Sequence, residues 1–361
     1  MTTGFSQQFE TYIGSGFPLI LVDTIEIERS IDAIADLVTE FNANLVHTNA
    51  DEWLKTSGLK VYVWDCISGW HEYGRKHEKG GIIPNTITPA DALRWLSTVE
   101  PDDGRGGNRN KPQSGVYIMQ NFQFFWQDTL GLPEYIQLMK NFADVGKSNY
   151  QYLMLVGSGP LPKEIANYFV TMEFPLPDKK TIESIIGTHA ERLGVKLKAK
   201  DIDIATSAVA GMTEQEIIGA VCVSVVKNQG KKIDKETLFD EKAKAVRKSQ
   251  LLEYVHSVES IDTIGGLSAL KDWIRQIAKA FANPKEAEKY GLPPAKGAMF
   301  VGVSGTGKSL TAKALANIFG VPLYRLDVGK VFSSLVGSTE ANTRELLRLI
   351  DAVSPAVILI D

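Results

Sequence analysis

Residues Gly302-Val303-Ser304-Gly305-Thr306-Gly307-Lys308-Ser309 read G-x-x-x-x-G-K-S, the spacing of a phosphate-binding loop. The flanks give the match its weight. Ala298-Met299-Phe300-Val301 is a short apolar run expected to form a buried strand, and Leu310 to Phe319 has helical periodicity with Gly320 placed to end it. Strand, glycine loop and helix start are what phosphate binding demands. The glycines let backbone N–H groups curl around anionic oxygens, and the helix N-terminus adds partial positive charge. In such a loop Lys308 reaches the β- and γ-phosphates and the Ser309 hydroxyl ligates Mg²⁺.

Working outward, Ile264-Gly265-Gly266-Leu267 precedes an amphipathic stretch from Ser268 to Phe281, and Gly291-Leu292-Pro293-Pro294-Ala295-Lys296-Gly297 leads into the loop's strand. Beyond the loop, Pro322 to Leu326 reads as a strand and Ser338 to Val353 as a helix with Pro355 after it. The last residues, Ala356-Val357-Ile358-Leu359-Ile360-Asp361, form an apolar run ending in an acid. That pattern presents a carboxylate at a strand tip, where it holds Mg²⁺ directly or through water.

The front of the chain alternates strand-like and helix-like segments. Leu19–Val22, Lys60–Trp64, Val116–Met119 and Tyr152–Val156 are strand candidates; Ile25–Phe41 and Pro89 to about Val99 are helix candidates. Apolar runs alternating with helices imply a parallel sheet covered on both faces. Gly74–Pro84 and Asp102–Gln113 are polar, glycine-rich loops, the second expected to be mobile. Residues 178–248 then read as a helical block. Asp178 is placed as a cap, Thr213 and Glu216 form a capping box for a helix from Glu214 to about Asn228, and Gly230 is a stop signal. Thr237–Arg247 is helical and heavily charged, so its polar face is expected to be solvated.

Composition frames these readings. A chain of 361 residues, 44% hydrophobic, suits roughly two or three domains with real cores. Net charge is −4 and the pI near 5.9, so no global basic footprint points to nucleic acid. Cys66 and Cys222 lie far apart in apolar runs and are expected to be core thiols in a reducing compartment. The five histidines show no ligand spacing, and His71 and His77 are expected at the surface. With no signal-peptide layout and no apolar run of about 18 residues, the expectation is a soluble intracellular protein, with no membrane partner.

From about Leu251 to Asp361 the chain resembles an AAA+ ATPase module of the AAA type. Ile264-Gly265-Gly266-Leu267, Gly291-Leu292-Pro293-Pro294, the Gly305-to-Leu310 loop and Val336-Gly337…Glu340 all stand in the family's order. Arg325-Leu326-Asp327-Val328-Gly329-Lys330 and GTGKSLTAKALA further resemble the uncharacterised AAA ATPases of plastids and cyanobacteria, encoded there as a hypothetical chloroplast reading frame. Pro160-to-Ile165 followed by FPLPD resembles the segment joining such a core to its helical lid, and Gly211-to-Ile217 resembles the lid's own helix start. The resemblance implies an α/β, P-loop NTPase (AAA+) three-layer sandwich with a parallel sheet, preceded by a degenerate AAA+-like α/β module with a helical lid. The implied boundaries are 1–177 for the degenerate module, 178–248 for the lid-like block and 249–361 for the ATPase core. The front departs from the pattern. No G-x-x-x-x-G-K follows Leu19, only VDTIEIER, and Val116–Met119 is followed by the amides Gln120 and Asn121 in place of an acid. An unrelated α/β domain is the alternative for that region.

What the resemblance implies for function is specific. Gly302, Ser304, Gly305, Thr306, Gly307, Lys308, Ser309 and Leu310 contact ATP, with Ile264 and Gly265 against the adenine; Thr263 stands where the family has an Asp. Ser309 and Asp361 hold Mg²⁺, and Lys308 and Asp361 are the catalytic pair within this chain. Leu335-Val336-Gly337 matches a pore loop in which an aromatic residue is common at the Leu335 position, so polypeptide threading and a plain connecting loop both stand. The implied activity is ATP hydrolysis coupled to remodelling of an unknown protein partner by a homo-oligomeric ring, in the cytoplasm or, if plastid-encoded, the stroma. Alternatives are an ATP-dependent switch or scaffold with little turnover, and a nucleic-acid motor, against which the acidic pI argues. The family's catalytic Glu, sensor, arginine finger and second lid would follow Asp361, so the chain is expected to be truncated and to turn over little ATP by itself.

Overall fold

The computed structural model describes residues 3–45, 52–78, 81–97, 112–230, 232–248, 252–255, 259–292, 297–303, 305–329, 346–347, 349–350 and 353–360. The chain divides into two compact units, Met1–Pro175 and Leu176–Asp361.

The first unit runs α1 (Thr3–Gly14), β1 (Leu19–Asp23), α2 (Ile27–Leu45), α3 (Glu52–Ser57), β2 (Lys60–Asp65), β3 (Gly69–Glu72), α4 (Pro89–Leu96), β4 (Gly115–Gln120), α5 (Leu132–Gly146), β5 (Gln151–Gly157), α6 (Lys163–Ala166) and β6 (Val170–Glu173). Its strands lie in the order β3-β2-β4-β5-β1-β6. Every neighbouring pair is parallel except the β2–β3 hairpin. Period-two alternation splits each strand between two cores. Ile20, Val22, Ile118 and Met154 pack with Phe9 of α1 and Ile34 and Val38 of α2, while Leu19, Leu21, Met119 and Leu153 pack with Leu93 of α4 and Met139 and Phe142 of α5. Helices on both faces explain why these strands are nearly continuous apolar runs. The result is a three-layer α/β sandwich. The connection leaving β1 runs past β5 and β4 to β2, whereas β5 crosses β1 to reach β6. The carboxyl ends of β1 and β5 therefore flank a point where connections diverge, the place where open α/β sheets hold ligands.

Two expectations fail here, for local reasons. His71 is buried in β3 at 6% exposure, with Nδ1 3.2 Å from the Gly69 carbonyl. Burial pushes its pKa below the usual histidine value. Cys66 is exposed. The Asp65 carboxylate accepts from the Ile67 and Ser68 amides at 3.0 and 2.8 Å, which turns the chain out of β2 before the thiol can enter the core. Cys222, on the ninth helix, is partly exposed. The expected loop 102–113 lies outside the described residues except at its last two positions.

The second unit begins with four helices, α7 (Lys179–Arg192), α8 (Ala199–Val209), α9 (Glu214–Lys227) and α10 (Lys235–Lys248). They close over Ile186, Ala208, Val209, Ile217, Val221 and Leu238. Their ends are set by side chains named from the sequence. Asp178 accepts from the Thr181 amide at 2.9 Å, Thr213 and Glu216 exchange capping-box bonds at 3.3 and 3.0 Å, and Gly230, at φ 77°, donates to the Val225 carbonyl at 2.9 Å. The solvated-face expectation for α10 is corrected at one residue: Lys242 is buried, 2% exposed.

Then follow β7 (Leu252–Val255), α11 (Ser268–Ala282), α12 (Pro284–Lys289), α13 (Lys308–Phe319), β8 (Leu323–Leu326) and β9 (Val357–Ile360). Among the described residues these strands form one sheet ordered β7-β8-β9, with β7–β8 antiparallel and β8–β9 parallel. Of the helix expected over 338–353, the described positions 346–347, 349–350 and 353 are helical. The strand expected at 298–301 is not formed. Phe300 is partly buried, but Met299 and Val301 are 89% and 90% exposed, because no strand among the described residues pairs with the segment. No helix among the described residues is long and apolar enough to cross a membrane.

Candidate nucleotide site

The glycine loop stands directly before α13. Gly305 and Gly307 have φ of 84° and 89°, conformations that L side chains rarely adopt, and a Cβ at either position would meet nothing within 4 Å. Both glycines are thus set by backbone conformation, and both face open space. Gly307 is the N-cap of α13 and supplies no side-chain acceptor, so the first-turn N–H groups keep their donors for another partner. The Thr306 hydroxyl donates to the Val303 carbonyl at 2.8 Å and pins the turn. Lys308 folds its ammonium back onto the Gly302 and Val303 carbonyls, at 2.8 Å each. A cation therefore sits within the loop it belongs to, beside an uncapped helix start. Ser309 is exposed on the first turn.

Several predicted residues are brought together. Ile264 (3% exposed) and the partly buried Leu310 share a cluster with Ile274, Ala314 and Phe300, so the segment at 261–264 lies against the loop's own helix. Gly265 is exposed beside it. Ser304, Asp361 and the expected pore loop Leu335-Val336-Gly337 lie outside the described residues, although β9 ends at Ile360, one residue before Asp361.

The corresponding junction of the first unit is built from other chemistry. Between Asp23, which ends β1, and Ile27, which starts α2, stand only three residues. The Thr24 amide donates to the Gly157 carbonyl at 3.2 Å, and the Thr24 hydroxyl accepts from the Glu26 amide at 3.0 Å. Glu26 is buried and ion-paired with Arg29, whose guanidinium also donates to the Pro175 carbonyl and lies 4.3 Å from the Phe174 ring centroid. At the tip of β5, Gly157 (φ 151°) is covered by Gln123, whose Nε2 would stand 1.6 Å from a Cβ there. Sequence reading found the missing loop but not Glu26, Arg29 or Gln123. Only an acid and a base three residues apart at the helix start hinted at the pair.

Residues 298–361 match the model of the ATPase family associated with various cellular activities (AAA), and residues 5–174 match that of the SpoVK-like AAA ATPase N-terminal domain. By these matches residues 298–361 are similar to AAA ATPases and residues 5–174 to the N-terminal domain of SpoVK-like ones. Over 361 residues, 99% of its length, it is similar to the uncharacterized AAA domain-containing protein ycf46 of Guillardia theta, at 28% identity, and to that of Pyropia yezoensis, at 26%. It spans 64% and 66% of those two proteins. It is also 24% identical over 227 residues, 63% of this chain and 34% of the relative, to the ATP-dependent zinc metalloprotease FtsH of Caulobacter vibrioides.

Proposed function

We propose that residues 249–361 bind Mg-ATP and belong to an ATPase that remodels a protein partner, with the 1–177 module and its 178–248 lid-like block acting as a non-hydrolysing front. The observation that carries this reading is the uncapped start of α13 beneath two open, positive-φ glycines with the Lys308 ammonium alongside. Donors without internal acceptors and a cation in one loop fit a polyphosphate. Gly305, Thr306 and Gly307 would present backbone amides to it, and Lys308 would exchange its carbonyl contacts for β- and γ-phosphate oxygens. Ser309 and Asp361 would hold Mg²⁺, which supplies charge neutralisation between the phosphates when bound. Ile264 and Gly265 would line the base, because their segment packs on the same helix.

The front module is assigned no nucleotide, since its junction carries a buried carboxylate where the other loop offers donors. Assembly as a ring of identical chains, and a cytoplasmic or stromal location, rest on similarity to AAA proteins and belong to this proposal. Calorimetric titration with a non-hydrolysable ATP analogue and Mg²⁺ tests the site: saturable binding lost in Lys308→Ala is expected, and no binding by the unaltered chain at millimolar nucleotide would overturn it. Phosphate release in the presence of candidate unfolded proteins tests the remodelling activity.

A further inference from the structure

Lys242 lies on the face of α10 turned into the second unit, and among the described residues its ammonium bonds to two backbone carbonyls. Nζ donates to the Ala210 carbonyl at 2.6 Å and reaches the Val353 carbonyl at 3.4 Å. Ala210 is the C-cap of α8, and Val353 is the last helical residue before β9. Both acceptors therefore belong to helix C-termini, whose orphan carbonyls attract a cation. The two carbonyls also belong to different cores. Val209 and Ala208 beside Ala210 lie in the core of the helical block, whereas Val353 packs with Leu252, Tyr324 and Leu326 around the β7-β8-β9 sheet. One buried ammonium thus bridges two hydrophobic clusters of the second unit.

We propose that Lys242 is a proton-sensitive latch that couples the helical block α7–α10 to the helix end leading into β9. The latch would transmit lid position to the strand that ends beside Asp361. Its chemistry sets the sign. Burial alone lowers the Lys242 pKa, to about 8. The titratable groups of the elements packed against α10 are Lys200, Asp201 and Asp203 on α8, Glu214, Glu216, Cys222 and Lys227 on α9, and Glu253 and Tyr254 on β7; none of them, nor Glu241 and Lys244 on α10 itself, contributes to that shift. Desolvation therefore outweighs the attraction of the two carbonyls, and the docked lysine holds its proton less tightly than a free one. Between pH 8 and the free-lysine value of 10.5 the undocked state binds more protons, so docking strengthens as pH rises. Below pH 8 the charged form carries its full burial cost, and the contact between the two clusters opens most readily.

The experiment is hydrogen exchange on the full chain from pH 6.5 to 9.5, corrected for intrinsic exchange, read at peptides spanning 205–212 and 346–360. In the unaltered chain, protection of both peptides rises together above pH 8, by up to about tenfold per pH unit. Lys242→Met removes that slope, and Lys242→Arg, charged throughout, stays flat as well. The slope is the readout, because the offset also contains lost packing. A slope retained in Lys242→Met, or the two peptides responding separately, overturns the proposal. Should the variants fail to fold, competitive acylation of Lys242 in the unaltered chain decides: half-reaction near pH 8 with slow labelling supports the latch, and titration near 10.5 at the rate of a surface lysine overturns it.

Discussion

Two of the chain's junctions lead into a helix from a strand or from a run expected to be one, α2 after β1 and α13 after 298–301, and they have opposite electrostatics. At 302–308 the backbone opens outward, with positive-φ glycines, an uncapped helix and a cation beside it. At 23–27 the backbone closes on itself: a threonine hydroxyl takes up the free amide, and an internal ion pair fills the space. A helix N-terminus attracts anions wherever it occurs. The difference lies in whether the protein's own side chains already supply one. Glu26 does so at the front; among the described residues nothing does so at the back.

That contrast can be broken first at Arg29. Removing it takes an ion-pair partner from the buried Glu26 carboxylate, so Arg29→Ala should lower stability by about 3 kcal/mol in urea denaturation. Arg29→Met combined with Glu26→Gln should recover much of the loss. A single-variant cost no larger than that of an exposed pair would mean the front is not held by this interaction. Next, Lys308→Ala should reduce ATP-analogue affinity at least roughly 100-fold, about 3 kcal/mol, without changing the melting temperature. Residual tight binding in that variant would place a nucleotide at the front junction and erase the asymmetry. Third, Gly157→Ala should cost about 1–3 kcal/mol, because its φ suits glycine and Gln123 occupies the added methyl's space. Gln123→Ala in the same chain should return part of it, as a thermal-melt cycle would show. Last, Thr24→Val keeps shape but leaves the Glu26 amide without its hydroxyl, a loss of about 1 kcal/mol.

How much of this was legible from sequence varies with the range of the interactions involved. The α13 stop at Gly320, the capping box at Thr213 and four strands of the first sheet are encoded within a few residues, and the structure reproduces them. The segment 298–301 shows the limit: its apolar pattern is correct for a strand, but strand formation needs a hydrogen-bonding neighbour, which no local pattern supplies. His71 was misplaced because the antiparallel hairpin β2–β3, with its isolated bridge from His71 to Ile82, turns a polar stretch inward. Lys242 was missed for the converse reason, since a charged helix face looks solvated until two helix ends from elsewhere converge on it. The glycine spacing of the candidate site is therefore legible in the sequence, and what packs around it is not.

The three-residue connection between β1 and α2 has a consequence for any attempt to convert one unit into the other. The glycine loop uses six residues, Gly302 to Gly307, ahead of its helix. No set of point substitutions at 24–26 can make up that difference in chain length, so a redesign must insert backbone, evict Glu26 and Arg29, and clear Gln123 in one step. Each change alone leaves either a stranded charge or an unfilled space. A laboratory selection for nucleotide binding by single substitutions should therefore find its solutions elsewhere in the chain than at this junction.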